Sequence, residues 1–541
     1  MARILKNNKY IIIVLIVTVV FTGLTFRNLP GPITSRTIQT INGITYDFSN
    51  YPYLNHEQIG LYNYMRNIIM NEPINSFENW NAEGFEGMLH YMLAFTDYVI
   101  SSVFETTPGY RTGYYNDTAY RLIEKMNTTI AEYGTESIEY LEWGRTNYPD
   151  YYWPNATDPS DLYVGDFRGP ANIMWTGHFA LIETLYKRSF NSNEFYDEIT
   201  WFIQDWNNTL TTDGYGNYTD GGIWGTGLIN CEPYICFAQC NSIAIYCTEL
   251  YDNLYGTQYM GMWDYGLNFI NTVMHNEYDL FIDGYYVQEP IGNISGMGSG
   301  VPSTIPGPAV HRLFDDGRAA ESSYSNAWTL TFLEYTQPEK SIKDYPLFLK
   351  KYKKEINGEQ MFMLGSFNDP NSFGSPNDML GTFFSTILAK QRGDFSTVQR
   401  ILNFLTSPYN KIWSKNGREL HYDTTSLSAF LQPVLAGFYI WATTPIKVRD
   451  LASPRPVAFW NLPYISQADD EKIWIYQAIW DKEKGAFLLN IKVDDTAHLS
   501  FSNFDHIPTA YSGSKPVIDL SVNGTEYILT LEPGKYNLVI I

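Results

Sequence analysis

From residue 56 to 442 the chain alternates apolar stretches of helical length with loops rich in Gly, Pro, Ser, Asn and Tyr. The stretch 84–103 is almost wholly apolar, the pattern of a helix buried on every side. Residues 114–126 instead carry one apolar stripe and one polar face, so that helix has a side in water. Residues 171–188 read as a second apolar helix, and 194–208 as the helix that follows it. Further helices are predicted at 56–70, 257–275, 317–335, 341–353, 375–391, 394–405 and 425–442. Pairs of helices repeated over roughly 370 residues, with few strands between them, predict an (α/α)6 barrel rather than a four-helix bundle.

Two ends of the chain break this pattern. At 449–456 the periodicity changes from helical to alternating, and short strands are predicted at 472–480, 486–493, 499–504, 517–522, 527–531 and 536–541. Turn signals such as Asn523-Gly524 and Pro533-Gly534 separate them, which makes a small antiparallel β domain. At the other end an apolar run, 10–24, follows Arg3, Lys6 and Lys9. By the positive-inside rule this predicts an N-terminal transmembrane helix with a cytoplasmic start, and no small-x-small cleavage site follows it. The expected organisation is therefore an anchor or signal at 1–27 and a lead-in stalk with the first helix at 28–75. The barrel then occupies 76–446, and a β-sandwich-like domain 447–541.

Composition narrows the partners. With 36 Lys+Arg against 58 Asp+Glu the chain carries a formal charge of −22, which argues against nucleic acid. Aromatic residues make up 16%, including 43 Tyr and 14 Trp, and such side chains line apolar pockets with a few polar tips. Sequons at Asn116, Asn127, Asn155, Asn207, Asn217, Asn293 and Asn523 fit an exported, membrane-anchored glycoprotein.

The candidate chemistry concentrates at 231–247, where all four cysteines lie: Cys231, Cys236, Cys240 and Cys247. Pro233 suits the first turn of a helix and Glu232 its positive end. A helix running on from there, at about 100° per residue, would bring Cys236, Cys240 and Cys247 to within roughly 40° of one another. The spacing C-x4-C-x3-C-x6-C matches no zinc pattern, so no metal is expected. Structural disulfides and catalytic thiols both remain open. His178 on its apolar helix is either a satisfied core residue or a functional imidazole, with Gly177 leaving room beside it. Glu86 and Tyr91 sit on or beside the first apolar helix, and an inward Glu86 would have a raised pKa. Asp315 and Asp316 offer an acid pair of the kind glycoside chemistry uses, or else a helix cap and salt-bridge patch.

Three stretches resemble the linalool dehydratase/isomerase-like family: Leu89-His90-Tyr91-Met92 with Thr107-Pro108-Gly109-Tyr110-Arg111; Asn172-Ile173-Met174-Trp175-Thr176-Gly177-His178; and Cys231-Glu232-Pro233 with Phe237 and Cys240-Asn241. The resemblance covers about residues 75–440. It implies an (α/α)6 barrel, cofactor-free and metal-free acid/base chemistry on a small, mostly apolar terpene-type alcohol or alkene, and a homo-oligomeric assembly. It implies Cys231 and Cys240 flanking the substrate, His178 as the active-site imidazole, and Tyr110, Tyr91 and Glu86 as further catalytic groups. Met174, Trp175, Glu232, Phe237 and Asn241 would line the substrate. Two other readings stand beside it: a carbohydrate-active barrel hydrolase or lyase using paired carboxylates, and a non-catalytic surface protein with disulfide-bonded cysteines.

Overall fold

The computed structural model describes residues 38–80, 89–128, 173–213, 216–231, 235–275, 279–287, 307–308, 321–364, 376–423, 432–513, 515–517 and 520–541. Twelve α-helices lie among them: α1 (His56–Asn71), α2 (Leu89–Thr106), α3 (Gly113–Met126), α4 (Ile173–Phe190), α5 (Tyr196–Thr211), α6 (Ala238–Tyr255), α7 (Asp264–Thr272), α8 (Ser323–Phe332), α9 (Pro338–Tyr352), α10 (Pro376–Arg392), α11 (Phe395–Thr406) and α12 (Gln432–Thr443). Their starts follow local chemistry. Asn55 and Gln58 exchange side-chain and backbone hydrogen bonds in a capping box ahead of α1, and Ser322 caps α8 by accepting from the Ser325 amide. Gly256, at φ 70°, takes the left-handed turn that ends α6.

The even-numbered helices form a closed ring. Each packs on the next, α2 on α4, then α6, α8, α10 and α12, and α12 returns to α2. The odd-numbered helices cover them from outside, which makes an α/α barrel. Hydroxyls buried on the inner helices turn back to their own carbonyls: Thr96 donates to Met92 O, Thr184 to Ala180 O and Thr248 to Ala244 O. That local pairing lets polar residues sit in apolar helices without an unpaired group. A Cβ at Gly381 of α10 would lie 1.9 Å from Ser323 Oγ of α8, so only glycine permits this approach.

The two ends of the ring differ. Connections leaving inner helices are short, at 107–112, 191–195, 256–263, 333–337 and 393–394. Connections entering them are long, at 72–88, 127–172, 212–237, 273–322, 353–375 and 407–431. Every long connection therefore leads into the N-terminal end of an inner helix.

Beyond α12 the chain forms two antiparallel sheets. One has four strands, β10 (Tyr464–Ala468), β13 (Ala497–Ser502), β17 (Glu526–Leu531) and β16 (Leu520–Asn523), in that spatial order. The other has five, β11 (Ile473–Asp481), β12 (Ala486–Val493), β18 (Gly534–Ile540), β14 (Ala510–Ser512) and β15 (Lys515–Pro516). This domain docks at the short-connection end. Gly109 N donates to Ala478 O at 2.8 Å and Ile465 N to Gly109 O at 2.8 Å, while Arg111 stacks over Phe459. Barrel and β domain share one continuous apolar core.

Four sequence expectations change. Among the described residues no helix is long and apolar enough to cross a membrane. The expected single-pass, membrane-anchored placement is corrected accordingly, and the run 10–24 on which it rested lies outside the described residues. Residues 56–71, expected in the lead-in, are an outer barrel helix, and 38–47 form a hairpin whose Ile41 and Tyr46 pack on Leu488 and Val539. The predicted helix 257–275 is a 3-10 turn, 259–263, followed by the short α7. Helix α6 starts at Ala238, five residues past Pro233, because Ile235–Phe237 pair as a strand with Gly284–Tyr286.

Candidate functional site

Inner helices send aromatic side chains inward to one another, from the first turn to mid-helix. From α2 come Tyr91, Phe95 and Tyr98, from α4 His178, from α8 Trp328 and from α10 Phe384. Trp328 stacks on Phe384 with ring centroids 4.8 Å apart and meets His178 at 5.1 Å. Tyr91 stands edge-on to both His178, at 5.2 Å, and Trp328, at 5.6 Å. Edge-to-face contacts of this kind fix ring orientation as well as burying area.

Polar atoms are set into this bed. The Tyr98 hydroxyl and His178 Nδ1 are 2.5 Å apart, both buried. His178 Nε2 has no partner among the described residues, and neither has His90 Nε2 or Trp328 Nε1. Burial, with a smaller effect of His90, holds the His178 imidazole well below its ordinary range, and burial alone lowers His90 to about 3. Both rings are therefore neutral near neutral pH. On the mouth side Tyr91 Oη lies 4.0 Å from Cys240 Sγ, a long contact at the limit for sulfur.

Cys240 sits in the first turn of α6 and Cys231 on the loop before β3 (Ile235–Phe237). Asn241 joins them. Its Oδ1 accepts from Ile229 N at 2.9 Å, and its Nδ2 donates to Ile229 O and Phe237 O, each at 2.9 Å. The amide is spent on backbone, so Asn241 ties the loop that carries Cys231 to α6. Asn230, fully buried beside Cys231, has neither amide atom paired among the described residues.

None of the four cysteines forms a disulfide among the described residues, and all four are buried. Cys236 lies on β3, off the helical face predicted for it, and donates to Tyr285 O at 3.5 Å. Cys247 packs against Thr184 of α4, 3.4 Å away. Burial pushes both of these thiols up to about 12.

Other expected residues fall elsewhere. Tyr110 follows the far end of α2, about 22 Å of helix from Tyr91. There it donates to Asp470 of the β domain and lines a small cleft with Leu54, Tyr62, Tyr114 and Ile473. The hydroxyls in that cleft are engaged, Tyr62 with Tyr114 O and Tyr115 with Thr107, so it is a packed joint. Trp175 faces outward, stacked on Phe179 at 4.5 Å and against Phe202 of α5. Met174 and Phe237 are half-buried, Phe237 on β3 opposite Gly284 of β4 (Gly284–Tyr286). Glu86, Glu232, Asp315 and Asp316 lie outside the described residues. Sequence reasoning passed over His90, Tyr98 and Trp328. Tyr98 shares the helical stripe of Tyr91 and Phe95 on α2, and Trp328 sits on the apolar α8, but an aromatic residue on an apolar helix carries no signal beyond core.

No family model matches the chain. Among solved structures it is similar to the unsaturated glucuronyl hydrolase of Bacillus sp. GL1, responsible for the degradation of glycosaminoglycan, at 10% identity and a TM-score of 0.41, over 71% of this chain and 93% of that one. It is also similar to a glycoside hydrolase of family 105 from C. acetobutylicum, at 10% identity and a TM-score of 0.35, over 62% of this chain and 99% of that one.

Proposed function

We propose that the chain is an α/α-barrel enzyme that removes or adds water at a small, mostly apolar alcohol or alkene, a lyase or isomerase of the linalool dehydratase/isomerase-like kind. The observation that supports this reading is the axial bed itself, in which two neutral imidazoles and a Tyr–Cys contact sit among aromatic rings. Departure of a hydroxyl group as water needs a proton delivered to its oxygen and leaves an allylic cation, which gives the alkene on losing a proton from a neighbouring carbon to a base. The rings of Tyr91, Phe95 and Trp328 can stabilise that cation by cation–π attraction. Tyr91 and Cys240 are the proton carriers nearest the mouth, and Cys231 is held at the same corner by Asn241.

A second reading, a carbohydrate-active hydrolase, has its own observation. Asp283 and Glu321 lie close enough to interact beside the start of α8, and burial, aided by Glu321, raises the Asp283 carboxyl to about 7. Paired carboxylates of unequal acidity are the requirement of glycoside chemistry. Asp283 also accepts from Ser322 N at 2.7 Å and Ser322 Oγ at 2.9 Å, which gives it a structural task.

One experiment separates the two. The purified chain is offered tertiary allylic alcohols, the matching alkenes and an unsaturated glucuronide, alongside Cys240→Ala and Asp283→Asn variants whose folding is checked by circular dichroism. Turnover of an alcohol or alkene that is lost in Cys240→Ala supports the first reading. Turnover of the glucuronide that survives Cys240→Ala and is lost in Asp283→Asn overturns it in favour of the second.

A further inference from the structure

Tyr98 has one described hydrogen-bond partner, His178 Nδ1. Its ring packs among those of Phe95, Phe332 and Trp441, centroid to centroid 6.3, 5.7 and 5.8 Å, with Asp97, Cys247 and Tyr246 close enough to act on it electrostatically. If His178 donated from Nδ1, the phenolic hydrogen would be left without a described acceptor in a buried site, a costly arrangement. If the phenol donates, both groups are satisfied and the imidazole hydrogen must reside on Nε2. That second hydrogen has no described acceptor, and a second buried N–H in the same state, Trp328 Nε1, belongs to the ring packed 5.1 Å from His178. Trp328 cannot swing away, since it is stacked on Phe384 and met edge-on by Phe95 and Tyr91.

We propose that Tyr98 sets the tautomer of His178, so that His178 Nε2–H and Trp328 Nε1–H form a two-donor seat for one ligand oxygen at the barrel axis. The ligand class is an uncharged molecule with a hydroxyl oxygen and an apolar body, because the seat offers donors without a positive charge and its walls are aromatic. This inference deepens the reading of the axial aromatic cluster given above and rests on it for the ligand's class. Tyr98 is a positioning residue, acting through His178. Trp328 and His178 are the contacts.

The test uses the full chain with nitrogen-15-labelled histidine. Nuclear magnetic resonance of the wild type should show His178 as the Nε2–H tautomer, and Tyr98→Phe should convert it to a mixture or to the Nδ1–H form. Tert-amyl alcohol should shift the Nε2 resonance while isopentane, the matching body without the hydroxyl, should not. Trp328→Phe should weaken alcohol binding about tenfold, the effect of one lost hydrogen bond to a buried donor, and leave the tautomer alone. An Nδ1–H tautomer in the wild type, a tautomer unchanged in Tyr98→Phe, or equal responses to alcohol and hydrocarbon would each overturn the seat. If the tautomer and the alcohol response hold while no alcohol is turned over, the seat stands and the proposed reaction fails.

Discussion

The Tyr110 hydroxyl donates to the Asp470 carboxylate across the junction of barrel and β domain. The carboxyl is largely buried, and burial raises it while the tyrosine hydrogen bond works against that rise. Removing the donor leaves a buried acceptor with less support. Tyr110→Phe is therefore expected to cost about 1–3 kcal/mol of stability, read as a lower thermal midpoint. Turnover per folded molecule should be unchanged, since Tyr110 lies a full helix length from Tyr91. A fall in kcat without a fall in stability would return Tyr110 to the active site.

The helical half of the fold was legible because apolar periodicity is a local signal: the predicted helix at 56–70 is observed at 56–71, and 394–405 at 395–406. The β domain was legible for the same reason, strand 486–493 matching β12. The site was harder to read. Position along a helix does not say which way a side chain points, so Trp175, three residues before His178, was expected at the substrate and faces α5. Tyr110 lies next to a turn whose partner is more than three hundred residues away, a contact no window contains. The misplaced start of α6 has a similar cause, because Pro233 permits a helix start but the pairing of Cys236 with Tyr285 decides against one.

Asn241 makes three hydrogen bonds to backbone at residues 229 and 237. Asn241→Ala should destabilise the chain by roughly 2–4 kcal/mol, because two carbonyls and an amide lose their partner in a buried setting. The same change should free the loop that carries Cys231. Alkylation of Cys231 in the native state should accelerate, with little change at Cys247 on the far turns of α6. Equal acceleration at all four thiols would mean global unfolding and would remove the loop-bracket role.

The absence of a disulfide among the four cysteines bears on the surface-protein alternative. Alkylation with iodoacetamide under denaturing conditions, without reductant, should modify Cys231, Cys236, Cys240 and Cys247 alike. In the folded protein Cys236 and Cys247 should resist for far longer, since burial keeps both in the thiol form and thiolate is the reactive species. A disulfide between any two of the four in the native chain would count for the non-catalytic reading.

The buried imidazoles give stability a pH dependence of definite sign. His90 is lowered from 6.5 to about 3, so between those values the unfolded chain takes up a proton that the folded chain cannot. The unfolded state then binds more protons, and stability is lost as pH falls through that window, by about 1.4 kcal/mol per pH unit for this one group. His178, lowered in the same direction, adds to it. Asp97, Asp205 and Asp283 are raised by burial and work with the opposite sign, so the raw pH curve is a sum. The difference between the parent and a His90→Gln variant isolates the term. Unfolding free energies from urea titrations at pH 7 and pH 5 should converge as pH falls if the variant removes the loss, the gap narrowing by roughly 2 kcal/mol over that span. Parallel curves would show that His90 titrates alike in the folded and unfolded chain, and with that the neutral imidazole at the axis would be lost.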